Sequence, residues 1–510
     1  MTDPIGSRGA ATIVLTGADL TIGSVEAVAR GGATATLDGD ARSRMEESRA
    51  VVERLVAAGA VVYGVTTGFG DLSSVRIDAA DAAQLQLNLV RSHAIGVGEP
   101  LPAEVVRGML LLLVNSLSKG HSGVRPELVA LLLGLLERNV LPVVPSRGSV
   151  GSSGDLAPLA HVAVVLCGEG RATYGGEELD GGEALRRAGL APIELAAKEG
   201  LALINGTHLM AACGSLALRD ARRLLDAAIV TAALSLEAFM GSTTPFDARI
   251  HDLRRHPGQG AVAARLRGLL DGSAIVESHA DCGRVQDPYT LRCLPQVLGA
   301  IADALDYVEG VLERELDAVT DNPLLFPDDG EACSGGNFHG QPLSLALDHL
   351  GLALCQLASF AERRTYALLS PSYAGLPRFL TPHPGLSSGL MIAQYTQAAL
   401  VNECQVLAHP AGAGSVPTSA GMEDFNSMGA WAALKARQIA DCAAHVVAIE
   451  LVCACQGIEF HRPLQSTPAL EAAVARVRER IPRLEQDRSL SAEVTELAGA
   501  LRCGELLLTP

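Results

Sequence analysis

The sequence predicts a mainly α-helical fold, in which a core bundle of long helices follows a mixed α/β N-terminal part. Three observations carry this. Residues 207–240 contain one Gly and no Pro, and residues 430–456 contain neither, so both read as long helices without internal breaks. The β-type runs are short and lie near the N-terminus, at 12–15 and 61–65. No internal repeat is visible, which favours a bundle over a stacked solenoid. The change of pattern near residue 207 divides the chain into an N-terminal domain, 1–206, and a long-helix bundle, 207–510.

The elements follow from their spacing. Residues 45–56 place Val52, Leu55 and Val56 at helical intervals among charges, the pattern of an amphipathic helix. Residues 105–117 and 128–136 are apolar almost all round, which predicts helices buried on every side. Gly- and Pro-rich breaks at 241–260, 321–342, 371–389 and 410–421 read as the loops of the bundle. Three of them hold clusters of polar residues, as expected where a rigid scaffold presents function on its loops.

Composition narrows the function. Apolar residues make up 48% of the 510 and charged residues 19%, enough for a large core and against disorder. A net charge of −17 repels nucleic acid and anionic membrane alike. The eleven cysteines show no C-x-x-C pair and no zinc-type His spacing, so they read as reduced core thiols and no metal site is expected. The first six residues carry neither a basic nor an apolar signal region, and the longest apolar run, 109–114, is too short to cross a bilayer. A cytoplasmic protein is expected.

The most informative segment is Gly148-Ser-Val-Gly-Ser-Ser-Gly-Asp-Leu-Ala-Pro-Leu-Ala-His161. Taken alone, it reads as a Gly/Ser loop before an apolar helix, with Asp155 as an acid favoured by the helix N-terminus. It is not a phosphate loop, since no Gly-x-x-x-x-Gly-Lys-Ser/Thr follows a strand, and not a nucleophile elbow. A second chemistry is open to it. Gly154, lacking a Cβ, lets its nitrogen approach the Ser152 carbonyl carbon. Ring closure with loss of two waters would give 4-methylideneimidazol-5-one (MIO), an electrophile whose methylene comes from Ser153.

With the whole run in view, the chain resembles the aromatic amino acid ammonia-lyases, over residues 10 to 490, and lies nearest their histidine branch. The family signature has Ala where this chain has Ser152, whose side chain takes no part in the cyclisation. The resemblance implies the fold of the ammonia-lyase/fumarase-like superfamily, with the MIO loop in the N-terminal part. It implies a homotetramer with sites shared between subunits, an amino acid substrate and no external cofactor.

Further stretches carry the resemblance and the site. Tyr63, in Tyr63-Gly-Val-Thr-Thr-Gly-Phe-Gly70, matches the residue favoured as β-proton base; alone it reads as a turn anchor. His93, in Asn88-Leu-Val-Arg-Ser-His93, matches the position that reads the substrate side chain, although a core histidine fits the bare pattern. Asn205, in Glu199-Gly-Leu-Ala-Leu-Ile-Asn-Gly-Thr-His208, matches the residue that bonds the ring carbonyl, or else caps the helix after it. In Gln286-Asp-Pro-Tyr-Thr-Leu-Arg-Cys293, Arg292 offers a planar fork for a substrate carboxylate. Tyr289 there resembles a proton-handling neighbour of the ring, and Gln286 a substrate contact.

Phe338, in Ser334-Gly-Gly-Asn-Phe-His-Gly340, would lie against the ring. Glu423, in Ser419-Ala-Gly-Met-Glu-Asp-Phe-Asn-Ser-Met428, stands where the histidine branch has Glu and the phenylalanine branch Gln. A carboxylate facing an imidazole orients it and favours its protonated form. His93 and Glu423 together point to elimination of ammonia from L-histidine to give urocanate. His208, Leu294, Met422 and Phe425 replace the Gln, Gln, Gln and His usual in that branch. Met422, read as a substrate contact, and Phe425 make the wall beside Glu423 more apolar. The alternative is a MIO-dependent lyase or 2,3-aminomutase acting on another aryl amino acid.

Overall fold

A computed structural model describes residues 11–370 and 375–508. The first six residues, and the start of the loop expected at 371–389, lie outside them. The chain is mainly helical, as expected, and its long helices run His208–Ala238, Leu294–Leu316, Gln341–Leu369, Met391–Leu407 and Gly429–Ile458. It groups into two units, each assembled from three segments. The first is Met1–Leu216, Gly310–Leu347 and Ala411–Leu434; the second is Ala217–Glu309, Asp348–Pro410 and Lys435–Pro510.

Every strand among the described residues belongs to the first unit. Ala11–Leu15 pairs in parallel with Ala33–Leu37, from Ala11 against Ala33 to Leu15 against Leu37. Parallel strands need a crossover, supplied by the helix Ile22–Ala29, whose cap Thr21 accepts the amide of Ser24. Val97–Pro100 pairs with Pro145–Arg147, a three-stranded sheet follows the order Leu141–Pro142, Arg171–Tyr174, Glu177–Asp180, and Leu324–Phe326 forms a hairpin with Glu331–Cys333. The run 61–65 is not a strand. It turns at Gly64 (φ +66°), with the Val65 amide on the Val62 carbonyl, so its apolar residues serve a turn and not a ladder.

The helices Ala103–Ser118 and Pro126–Arg138 are buried nearly all round, as their composition requires; in the first, every residue from Gly108 to Ser118 is buried. The second ends on Asn139 in the left-handed region, a usual helix stop.

The second unit holds no strand among its described residues. A buried ion pair ties its interior: Arg364 Nε and Nη2 donate to the two oxygens of Glu450 at 2.6 and 2.7 Å, and Ser235 Oγ adds a bond of 2.7 Å. Both charges are fully buried, so removing one partner strands the other. Glu450→Ala is expected to lower the unfolding free energy by about 3–5 kcal/mol, read by denaturant titration. The helices Gln341–Leu369 and Gly429–His461 are long and apolar enough to cross a membrane, unlike the run 109–114, but most of each apolar window is buried in the fold as in a core helix.

Candidate active site

The signature segment forms a tight turn before the helix Leu156–Leu166. It is clamped from two directions within the first unit. On one side Ser427 Oγ donates to the Gly151 carbonyl at 2.9 Å and the Met428 amide to the Val150 carbonyl at 2.8 Å. On the other, Gly206 brackets Gly154: the Gly206 amide donates to the Ser153 carbonyl (3.2 Å) and the Asp155 amide to the Gly206 carbonyl (2.7 Å). Gly154 sits at φ +79°, and a Cβ there would fall 2.1 Å from the Gly206 oxygen. Only Gly fits. The Gly154 amide donates to no acceptor among the described residues.

Asp155 stands at the N-cap of the helix that follows it, but its side chain makes no capping hydrogen bond there. Its carboxylate accepts the amides of Leu209 and Met210, at 2.9 and 3.1 Å in the first turn of His208–Ala238, and the Ser149 hydroxyl at 3.0 Å. The first turn of a helix lacks intrahelical acceptors for its amides, so a buried carboxylate is a natural partner. Burial nevertheless pushes Asp155 up to about 7 against the pull of those donors.

Asn205 stands on a second buried network. Its amide donates to Asp321 Oδ1 and the Asn322 carbonyl, both at 3.0 Å, while the fully buried Lys198 donates to Asp321 Oδ2 at 2.6 Å. Burial lowers the Lys198 ammonium, and Asp321 opposes that shift. Lys198 and Asp321 support the site as a buried pair, and that pairing is not legible in the sequence.

Tyr63 projects from the turn at Gly64, which Gln86 braces: its amide donates to the Gly64 carbonyl (3.2 Å) and its oxygen accepts the Leu201 amide (3.0 Å). The Tyr63 hydroxyl accepts the Gly70 amide at 3.2 Å, and its ring meets Phe69 edge-on. His93 closes the helix Ala82–His93. Its Nδ1 lies 2.9 Å from the Leu89 carbonyl, which can only accept, so Nδ1 carries the hydrogen and Nε2 keeps the lone pair. Burial holds His93 below its ordinary value, with Leu89 and the charge of Glu423 pulling the other way. Glu423 accepts the Thr418 hydroxyl at 2.7 Å, and Asn426 donates to that hydroxyl in turn (3.1 Å).

Tyr63, His93, Ser153, Asn205, Phe338 and Glu423, six of the residues chosen from sequence, line one cavity of about 200 Å³. That is the scale of a single amino acid, below the ~300–1,000 Å³ of drug-sized sites. Ser152 and Gly154 flank Ser153 in the turn and are buried. Met422 does not line this cavity and is 61% exposed, as is Phe425, whose carbonyl lies 3.0 Å from His339 Nε2.

Gln286, Tyr289 and Arg292 belong to the second unit. Gln286 and Arg292 line a different cavity there, of about 720 Å³. Arg292 stacks on Tyr289 at 4.5 Å, its Nε buried with no hydrogen-bond partner among the described residues, while Tyr289 is exposed.

Two buried groups beneath the turn give opposite pH terms. His208 is pushed down to about 4 by burial, so between that value and 6.5 the unfolded chain binds more protons, and this term weakens the fold as pH falls. Asp155, raised to about 7, binds more protons when folded above 3.8, and this term strengthens the fold as pH falls. Asp155→Asn leaves the His208 term without its offset. Its stability is therefore expected to drop more steeply than wild type on acidification from about pH 6.5 to 4, by up to about 3 kcal/mol over the window. Denaturant titrations at several pH values check this.

The sequence profile of the aromatic amino acid lyase family matches residues 20–479. A histidine ammonia-lyase of Myxococcus xanthus is 50% identical over 495 residues, 97% of each chain, and one of Deinococcus radiodurans is 53% identical over 490, covering 96% of this chain and 93% of its own. Among solved structures, histidine ammonia-lyase from Trypanosoma cruzi matches with a TM-score of 0.90 at 42% identity, covering 97% of this chain and 94% of its own. Tyrosine aminomutase from Streptomyces globisporus matches with a TM-score of 0.92 at 36% identity over 97% of each chain.

Proposed function

The chain belongs to the aromatic amino acid lyase family, and on that premise we propose that it is a carbon–nitrogen lyase that eliminates ammonia from L-histidine and releases urocanate. The observation that carries the substrate is the meeting of His93 and Glu423 in the cavity that also holds Ser153. A protonated imidazole substrate carries two N–H donors, and the Glu423 carboxylate and the Nε2 lone pair of His93 are acceptors for them.

We assign Ser152-Ser153-Gly154 to a self-formed MIO ring, which supplies an electrophilic methylene that makes the amino group able to leave. The residues fit it: the Gly154 nitrogen is uncommitted, its backbone is in the left-handed region, and no side chain could occupy its place. Asn205, fixed by Asp321 and Asn322, lines the cavity beside Ser153. Ser152 retains its side chain outside the ring, so the departure from Ala leaves the cyclisation intact.

Tyr63 takes the β-proton; its oxygen is held by the Gly70 amide and it lines the cavity with Ser153. Phe338 lines the same cavity and lies against the ring. Arg292, with an unsatisfied buried Nε, binds the substrate carboxylate through its planar fork, with Gln286 and Met422 as further substrate contacts and Tyr289 assisting proton handling. The enzyme works as a cytoplasmic homotetramer whose sites draw on several subunits.

Glu423→Gln tests the substrate assignment. It removes the charge while keeping the shape, and kcat/KM for L-histidine is expected to fall about 10- to 100-fold, the worth of a charged hydrogen bond. An unchanged kcat/KM, or a β-amino acid product retaining the ammonia nitrogen, would favour the aminomutase or another aryl substrate.

A further inference from the structure

One buried side chain in the first unit takes no part in the reaction as derived above and yet touches its framework. His208 is 5% exposed, and neither ring nitrogen has a hydrogen-bond partner among the described residues. Buried polar groups are normally paired, and among the described residues no protein atom pairs with this imidazole.

A Cβ built on Gly206 would lie 2.4 Å from His208 Cε1 and 2.6 Å from Thr320 Oγ1, so the flat edge of the imidazole rests directly on the Gly206 backbone. Gly206 is the strut that bonds the Ser153 carbonyl and the Asp155 amide on either side of Gly154. The residues after His208 reinforce the same turn, since the Leu209 and Met210 amides hold the Asp155 carboxylate. A small cavity of about 10 Å³, lined in part by Ser116, Thr207, Glu315 and Thr320, adjoins the ring. It has room for about one water, so nothing larger than that can pair with the imidazole.

The charged groups nearby are committed elsewhere. Asp321 holds Lys198 and Asn205, and Glu315, raised by burial, accepts the Thr207 hydroxyl. Burial pushes the imidazole down to about 4 with only Asp321 opposing, so the ring is uncharged at neutral pH.

We infer that His208 is a positioning residue for ring closure, its uncharged imidazole seating the Gly206 strut that holds Ser152-Ser153-Gly154 in the cyclising turn. The inference rests on the assignment of the MIO ring to these three residues. Truncating the ring leaves the strut free to drop away from the turn, and the Gly154 nitrogen then meets the Ser152 carbonyl less often.

The test uses full-length H208A and H208Q, with peptide mass spectrometry of the segment 148–161 and hydrogen exchange at the Asp155 and Gly206 amides. For H208A the fraction of chains lacking two waters is expected to fall at least 5-fold, and exchange at those two amides to quicken at least 10-fold relative to the amides of Ala202 and Asn205. KM for L-histidine, and kcat per ring-bearing chain, stay at the wild-type values. H208Q, uncharged and of similar reach, restores both readouts. Should H208A fail to fold, H208N, which withdraws from Gly206 but stays uncharged, carries the same expectations. Complete dehydration with unchanged exchange in H208A or H208N would overturn the inference, as would loss of both readouts in a well-folded H208Q. Absence of the two-water loss in wild type would instead overturn the ring assignment.

Discussion

Ser153→Ala is expected to lower urocanate formation by at least about 10³-fold, some 4 kcal/mol of barrier, while leaving the fold unchanged. The substitution deletes the hydroxyl whose loss as water produces the methylene. It does not touch the backbone bonds that hold the turn, because the Gly206 amide bonds the Ser153 carbonyl and not its side chain. Ser153 is half-buried, so the loss of one oxygen leaves no sizeable void and thermal stability should change little. The variant's peptide mass should lack the double dehydration. Full turnover by Ser153→Ala would remove the ring from the mechanism and with it the reason for the whole Gly148–His161 constellation.

Tyr63→Phe is expected to reduce kcat by about 10²- to 10⁴-fold, the usual contribution of a positioned acid–base group. KM should change little, because the ring of the side chain still lines the cavity. Dehydration of Ser152-Ser153-Gly154 should be complete, which separates this variant from Ser153→Ala by mass. The Gly70 amide loses its acceptor, a stability cost of about 1 kcal/mol. A kcat within a factor of about two of wild type would mean that another group takes the β-proton.

The two variants act on residues that the sequence already singled out. Short-range constraint explains why. Gly154 must be Gly because a neighbouring carbonyl stands where its Cβ would be, and a sequence run dense in Gly and Ser announces such a turn. Burial of Ala103–Ser118 and Pro126–Arg138 was equally legible, since a helix without a polar face has nowhere to go but the interior. The six site residues lining the cavity come from six separate stretches, and spacing alone could not bring them together; the family resemblance did.

What escaped the sequence is long-range. Asp155 is spaced like an acid serving the helix after it, yet the two amides its carboxylate accepts lie more than fifty positions away. Lys198 and Asp321 are 123 positions apart, and nothing local to either marks them as a buried pair. The run 61–65 looks like a strand because Val is common in both strands and apolar turns; one Gly with positive φ decided against it. The unit boundaries were hidden for the same reason, each unit being collected from three stretches of chain.

The most direct test of the account is to mix purified protein with L-histidine and follow the ultraviolet absorbance of urocanate, with ammonia measured in parallel and the two-water loss checked by mass on the same sample. Urocanate and ammonia are expected to appear in equal amounts. Chains that carry the dehydrated ring but form neither from L-histidine would contradict the account.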